Sequence, residues 1–284
     1  MLRHRSLEVA LVAALLGLTG TGCRAGEAQQ RPELGLMATI PLYWGEERAF
    51  GDALSGEGTA HWARAQIENR YRLRPLDTLG EDSLAGLEFL LLAQPRALTG
   101  AENVALDAWV RAGGHLLLFA DPLLTGESRF PIGDRRRPQD VVLLSPILSH
   151  WGLRLEFDED QLAGFALTAG APPIPVNLPG KLVADGACAI ESGGVLARCA
   201  IGEGSVLILA DAAVLDLHEP HPAAPAALDW LLDEGFGRGK SREVGFGREP
   251  AHVESSIYWA EIADREAIRA SVSAKKSTDD GYFP

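Results

Sequence analysis

The clearest pattern of apolar and polar positions lies between Phe89 and Pro122, where two apolar runs flank one amphipathic segment. The first run, Phe89 to Ala93, stops at Gln94-Pro95, and the second, Leu116 to Ala120, stops at Asp121-Pro122. Neither run alternates with polar residues, which is typical of strands that are buried on both faces of a parallel sheet. The pattern therefore predicts a strand, a helix and a second, parallel strand.

The amphipathic segment carries its own signals for the start and end of a helix. Thr99 and Glu102, three residues apart, form a capping box, and Gly113-Gly114 ends the helix. Helical spacing predicts a surface helix with one buried stripe and charged positions that face water. The stripe is expected to contain Val104, Ala105, Ala108, Trp109 and Ala112.

The same alternation continues on both sides of this unit. It predicts a doubly wound α/β fold with a mostly parallel sheet, and residues 188 to 210 are expected to form a β-hairpin insertion. The other expected strands are Leu36 to Tyr43, Leu73 to Leu76 and Ser205 to Leu209, and the other expected helices are Ala60 to Tyr71, Val141 to Trp151 and Ala223 to Leu232.

The N-terminus has the layout of an export signal. Arg3 and Arg5 precede an apolar run, Val9 to Leu18, which is short for a membrane span and is followed by small residues. The small residues end at Cys23 and resemble the lipobox of bacterial lipoproteins, in which that cysteine is lipidated; an ordinary cleaved signal is the alternative. We therefore expect a lipid-anchored protein on the periplasmic side of the bacterial cell envelope.

Four segments follow from these patterns. Residues 1–22 are the expected signal peptide, residues 23–35 a tether, and residues 36–234 the α/β domain. Residues 235–284 form a polar, glycine-rich tail in which Val253 to Ile268 is the expected helix.

The remaining two cysteines are spaced for a hairpin. A turn at Gly193-Gly194 places Cys188 opposite Cys199, where the two can form a disulfide or remain as buried thiols. Counted from that turn, the pair falls at a hydrogen-bonded position of the ladder.

Charge excludes one class of partner. The formal net charge is −13, and the only basic run, residues 135 to 137, lies between Asp134 and Asp140. Because nucleic-acid binding depends on basic surfaces, we expect no nucleic-acid partner. The basic run is expected to be a solvated loop rather than an anion clamp.

A family resemblance rests on the residues quoted above, together with Ile40 to Gly45, Leu106 to Val110 and Val206 to Asp211. The region 36–234 resembles the auxiliary domain of uncharacterised ABC-type transport systems, related to the gliding-motility transporter auxiliary protein. More distantly it is similar to the flavodoxin-like, class I glutamine-amidotransferase-like folds. The resemblance implies a transporter permease or ATPase as partner.

The sequence does not carry the chemistry of an amidotransferase. Such an enzyme needs a cysteine on the sharp turn after a central strand, and here that turn reads Ala93-Gln94-Pro95. We therefore expect a protein without amidotransferase activity.

The strand ends nevertheless predict a crevice. Asp121 and Asp211 each follow a buried strand, so that parallel strands bring both carboxylates to one edge, where ligands bind in such folds. Paired carboxylates suit acid–base work, although each is also an ordinary way to cap a turn. The predicted rim, suited to a polar, saccharide-like ligand, consists of Tyr43, Trp44, Glu46, Gln94 and Arg96.

A metal site is not expected. His218-Glu219-Pro220-His221 offers two imidazoles and a carboxylate, but the prolines prevent the helix that usually aligns such ligands. No cofactor is expected either.

These observations favour a non-catalytic, envelope-anchored auxiliary protein that binds a ligand or partner for an ABC-type transport system. Two alternatives stay open. One is a hydrolase that uses the crevice carboxylates on a polar substrate, and the other is a structural scaffold whose tail docks on another protein.

Overall fold

The computed structural model describes residues 31–46, 61–157, 161–216, 218 and 220–237. The expected export signal, Cys23 and the expected tail helix lie outside these residues. Within the described ranges, no helix has the length and apolar character needed to cross a bilayer.

In the described part of the chain, strands and helices alternate as far as residue 156, after which a run of strands continues to residue 209 and one last helix follows. The strands are β1 (Glu33–Ala38), β2 (Arg72–Pro75), β3 (Phe89–Ala93), β4 (His115–Phe119), β5 (Leu153–Glu156), β6 (Gly164–Ala166), β7 (Ile174–Val176), β8 (Lys181–Ala184), β9 (Ala189–Glu191), β10 (Leu196–Ile201) and β11 (Gly204–Leu209). The helices are α1 (Trp62–Glu68), α2 (Glu81–Leu84), α3 (Gly100–Arg111), α4 (Ser145–His150) and α5 (Ala224–Gly235), and 3₁₀ turns lie at Ser192–Gly194 and Ala213–Leu215.

A seven-stranded sheet forms the centre of the fold, in the order β2-β1-β3-β4-β11-β10-β9. The first five strands in this order are parallel, whereas β10 is antiparallel to both β11 and β9. Two small antiparallel pairs, β5 with β8 and β6 with β7, lie outside the main sheet. The chain is therefore a mixed α/β protein whose large, mostly parallel sheet is compatible with the predicted doubly wound fold.

Helices cover both faces of the main sheet, which explains why its strands lack polar alternation. A row of aligned leucines, Leu36, Leu91, Leu117 and Leu207, crosses four strands and faces α1 and α5. The alternate positions of the same strands pack against α2, α3 and α4 in a second cluster. Burial on both faces leaves only the two ends of the strands for contact with ligands.

The capping box of α3 is confirmed, but its predicted buried stripe is only partly right: Ala105 and Trp109 pack against the second core cluster, whereas Val104, Ala108 and Ala112 are exposed. The Thr99 hydroxyl accepts from the Glu102 N–H, and the Glu102 carboxylate accepts from the Thr99 N–H. The buried face consists of Glu102, Leu106 and Val110, whereas Val104 is 71% exposed. The helix carries apolar residues on two adjacent faces, and the face with the larger Leu106 and Val110 packs on the sheet because it removes more apolar area from water.

Cys188 and Cys199 form a disulfide across β9 and β10. Gly193 and Gly194 both have positive φ in the connecting turn, where glycine is favoured. The two cysteine α-carbons are 4.3 Å apart, which is shorter than the roughly 5.5 Å of a hydrogen-bonded pair. The pairing of β9 with β10 aligns Ala189 with Arg198, so Cys188 lies opposite Cys199 as predicted, although Cys188 itself lies just outside β9.

Removal of the disulfide is expected to lower the free energy of unfolding by about 3 kcal/mol, because the bridge restricts the unfolded chain. Urea unfolding of Cys188→Ala/Cys199→Ala should show this loss, and reduction of the wild type with dithiothreitol should produce a similar one. A wild type whose midpoint is unchanged by reduction, and whose non-reduced mass shows free thiols, would contradict the bridge.

Candidate functional site

The carboxyl ends of the parallel strands meet at one edge of the main sheet, where α/β proteins bind ligands. Polar residues stand just after each of the five strands at this edge. They are Thr39 after β1, Asp77 after β2, Gln94 after β3, Asp121 after β4 and Asp211 after β11.

Gln94 occupies the sharp turn after β3 and is fully buried. Its φ of 48° lies in the left-handed region, which costs a non-glycine residue energy. The carboxamide accepts from the Asp121 N–H at 2.9 Å and donates to the carbonyls of Asp121 and Gln139, each at 2.9 Å. Gln94 was predicted at the rim of the crevice, but the structure places it inside, where it joins β3 to β4 and to residues 123–140.

Thr39 completes this network. Its hydroxyl donates to the Gln94 carbonyl and accepts from the Gln139 N–H at 3.0 Å. The long connection after β4 is thereby attached to the ends of β1 and β3 through side chains that carry no charge.

Asp121 is also used internally. The side chain is buried, and its two oxygens accept from the backbone N–H groups of Leu123, at 2.8 Å, and Ala212, at 3.1 Å. Burial raises the pKa of Asp121 to about 6, against the opposing effect of these two hydrogen bonds.

Asp211 repeats this arrangement at the end of β11. It is fully buried, and its oxygens accept from the N–H groups of Ala213, at 2.6 Å, and Asn177, at 2.8 Å. Burial, and then the charge of the neighbouring Asp121, raise the pKa of Asp211 well above its ordinary value. The two carboxylates are thus brought close together as predicted, but both serve to cap the turns that follow their strands.

Glu46 fastens the long connection to the sheet edge instead of facing a ligand. Its side chain is almost buried and accepts from the Ser128 hydroxyl at 2.8 Å and from the Arg129 N–H at 3.3 Å. His218 Nε2 lies 3.3 Å from the second carboxylate oxygen. His218 therefore contacts one carboxylate, and no cluster of three metal-binding side chains exists among the described residues.

Arg96 points to the capping box of α3. The guanidinium donates to both oxygens of Glu102, at 2.6 and 3.0 Å, and to the carbonyl of Asp77 at 2.6 Å. The Arg96 guanidinium holds the pKa of Glu102 at about 2. Arg96 supports the residue that follows β2 and is not itself part of the open crevice.

Of the predicted rim, Tyr43 and Trp44 do line an open cleft at the sheet edge. The cleft has a volume of about 470 Å³ and lies beyond the ends of β1 and β2, within the size range of small-molecule sites. Among the other lining residues, Asp77, Phe130 and Arg136 carry a charge or an aromatic ring and were not predicted at the rim. Only their position in the fold could have identified them, since Asp77 follows a parallel strand and the other two lie in the connection after β4.

Arg136 lies beside the cleft, where neighbouring residues hold its guanidinium in place. Two of its nitrogens donate to the Asp134 carboxylate at 2.7 and 3.0 Å, and the guanidinium carbon lies 4.2 Å from the centre of the Phe130 ring. Its neighbour Arg137 pairs with Asp140 at 2.9 Å. Two of the three arginines of the basic run are therefore paired with local carboxylates.

A buried histidine near the site predicts a measurable pH effect. His61 caps α1 by accepting from the Ala63 N–H, and its Nε2 lies 2.9 Å from the Leu215 carbonyl. Burial lowers the pKa of His61 to about 4. The folded state favours the neutral ring. The stability that His61 contributes to the fold is therefore complete above pH 6.5 and is lost as pH falls towards 4.

The His61→Asn variant is expected to keep the cap but to lose this titration. Between pH 7 and pH 4, the free energy of unfolding of the wild type should fall by about 3 kcal/mol more than that of the variant. This comparison removes the opposite effect of Asp121, whose raised pKa disfavours the fold as pH rises. Urea unfolding at both pH values tests this, and a difference that does not vary with pH would contradict it.

Solved structures offer only distant likenesses, and no curated protein matches the chain. A β-galactosidase from Rahnella sp. R3 is 12% identical, with 72% of this chain and 31% of that chain covered and a TM-score of 0.42. A β-galactosidase from Bacillus circulans sp. alkalophilus is also 12% identical, with 73% of this chain and 31% of that chain covered and a TM-score of 0.44. The cytoplasmic protein STM1381 from Salmonella typhimurium LT2 is 13% identical, with 72% of this chain and 96% of that chain covered and a TM-score of 0.34. The chain spans about a third of the length of these β-galactosidases, and at such scores the likenesses bear on neither fold nor function.

A family profile is more informative, because it covers half of the chain. The profile matches residues 31–173, from β1 to the connection between β6 and β7, and so includes the cleft and Gln94. This match confirms the resemblance predicted from the sequence at the level of the family. The chain belongs to the family described as ABC-type uncharacterized transport system.

Proposed function

We propose that this protein is a non-catalytic auxiliary component of an ABC-type transport system, lipid-anchored through Cys23 and facing the periplasm. The family match over residues 31–173 carries the proposal. The export signal expected from the sequence agrees with it, and so does the disulfide, since disulfides persist in oxidising compartments such as the periplasm.

The fold supports this assignment in finer detail. The order β2-β1-β3-β4-β11 has the pattern of flavodoxin-like sheets, in which the first strand lies second from the edge. A relation to class I glutamine amidotransferases is part of the proposal, with Gln94 at the turn where those enzymes place their nucleophile. A buried carboxamide at that turn supports a structural role in place of a catalytic one.

The hydrolase alternative draws no support from the two aspartates. Acid–base work on a substrate requires carboxylates that a substrate and water can reach. Asp121 and Asp211 are 1% and 0% exposed, and all four of their oxygens accept backbone N–H groups. The cleft at Tyr43 and Trp44 is instead proposed as the site that binds a ligand or partner.

Affinity capture from membranes tests the proposal. The full chain with a C-terminal tag is expected to recover a transporter ATPase and permease after mild detergent extraction. The Cys23→Ser variant is the matched control, because it should leave the membrane fraction and recover less of both partners. Wild-type protein that is abundant in membranes yet recovers no transporter subunit would overturn the proposal.

A further inference from the structure

Several polar groups that line the cleft have no hydrogen-bond partner in the part of the chain that the structure describes. They are the Tyr43 hydroxyl, Trp44 Nε1, the Asp77 carboxylate and Arg136 Nη1. By contrast, the buried residues of the same edge, such as Gln94, are fully engaged. The cleft therefore offers both donors and an acceptor to a polar ligand.

Trp44 is the most exposed of the aromatic side chains that line the cleft. Trp44 is 72% exposed and contacts Tyr43 edge to face, with ring centres 4.7 Å apart. Arg64 lies over the Tyr43 ring at 4.2 Å, and Arg136 lies over Phe130 at the same distance. Trp44 thus presents an apolar surface with a polar rim, which suits a ligand that has both C–H and O–H groups.

The charges of the cleft argue against an anion. Asp77 places a carboxylate in the cleft, where Arg96 offsets part of its charge, and the charge of Arg136 is largely matched by Asp134, to which it donates two hydrogen bonds. The geometry also disfavours a peptide that adds a strand to the edge at β2. Pro75 lies in this edge strand and has no N–H with which to bind a further strand.

We propose that the cleft binds a neutral saccharide. A pyranose ring stacks its C–H face on Trp44, donates hydroxyl hydrogen bonds to the Asp77 carboxylate, and accepts them from Arg136 Nη1. The inference rests on the proposed function and specifies the ligand that the auxiliary protein recognises.

Isothermal titration of the full chain with three neutral hexasaccharides tests this inference. The probes are α-1,4-linked glucose, β-1,4-linked glucose and β-1,4-linked N-acetylglucosamine hexamers. At least one is expected to bind, with a Kd below about 5 mM. Trp44→Ala should weaken binding about tenfold or more, Trp44→Phe should weaken it less, and Asp77→Asn should also weaken it.

The matched control is Ile132→Ala, which removes an exposed apolar side chain of the same connection outside the cleft and should leave Kd unchanged. The proposal is overturned if no hexamer binds or if Trp44→Ala binds as tightly as wild type. If Trp44→Ala abolishes capture of a protein partner while no hexamer binds, the cleft binds a protein, and the saccharide proposal is again overturned. Capture of the transporter by a wild type that binds no hexamer would leave the proposed function intact and remove the saccharide.

Discussion

Replacement of Gly204 with alanine is expected to lower the free energy of unfolding by about 3 kcal/mol. Gly204 begins β11 and lies against the end of α3 and the turn before β4. A β-carbon there would stand 2.1 Å from the Val110 carbonyl oxygen and 2.3 Å from that of Gly114. Both are backbone atoms, so the contact can be relieved only by moving the strand away from its parallel neighbour, β4.

The control for this effect is Gly164→Ala, at the start of β6, where a β-carbon meets no atom within 4 Å. This variant should stay within about 0.5 kcal/mol of wild type in urea unfolding. Equal effects at the two positions would contradict the close packing of β11 against the end of α3.

Replacement of Gln94 with alanine is expected to cost about 3 kcal/mol, because it leaves buried groups of Asp121 and Gln139 without partners. Gln94→Gly should be less harmful than Gln94→Ala by about 1 kcal/mol, since glycine adopts a φ of 48° without strain. Urea unfolding of both variants measures this order.

The control is the exposed, mid-helix Ala108, where glycine should show the usual order and lose about 1 kcal/mol relative to alanine. An alanine variant of Gln94 as stable as wild type, or a glycine variant less stable than the alanine one, would contradict the structural role of this residue. Gln94 would then again be a candidate for ligand contact.

The sequence predicted the central unit closely because its signals are local. Phe89 to Ala93 is a strand with those bounds, and Thr99 caps the helix with Glu102, since apolar runs and capping groups act within a few residues. The buried stripe of α3 was only partly right because two adjacent faces are apolar, and only the tertiary fold decides which one packs.

The site was predicted only in part for a related reason. The end of a parallel strand determines where a residue lies, but not whether neighbouring backbone N–H groups occupy its side chain. Asp121 and Asp211 therefore lie at the predicted edge and yet are closed to ligands, whereas Trp44 is open. Phe130 was missed because it reaches the cleft through an irregular connection that has no periodic pattern.

The auxiliary role is best tested by the rate of ATP hydrolysis of the captured transporter, reconstituted in liposomes and measured with and without the purified protein. An auxiliary component is expected to bind the transporter and change its rate of ATP hydrolysis, while it turns over no substrate itself. A transporter that neither binds the protein nor changes its rate would exclude an auxiliary role, and turnover of a polar substrate by the protein alone would exclude a non-catalytic one.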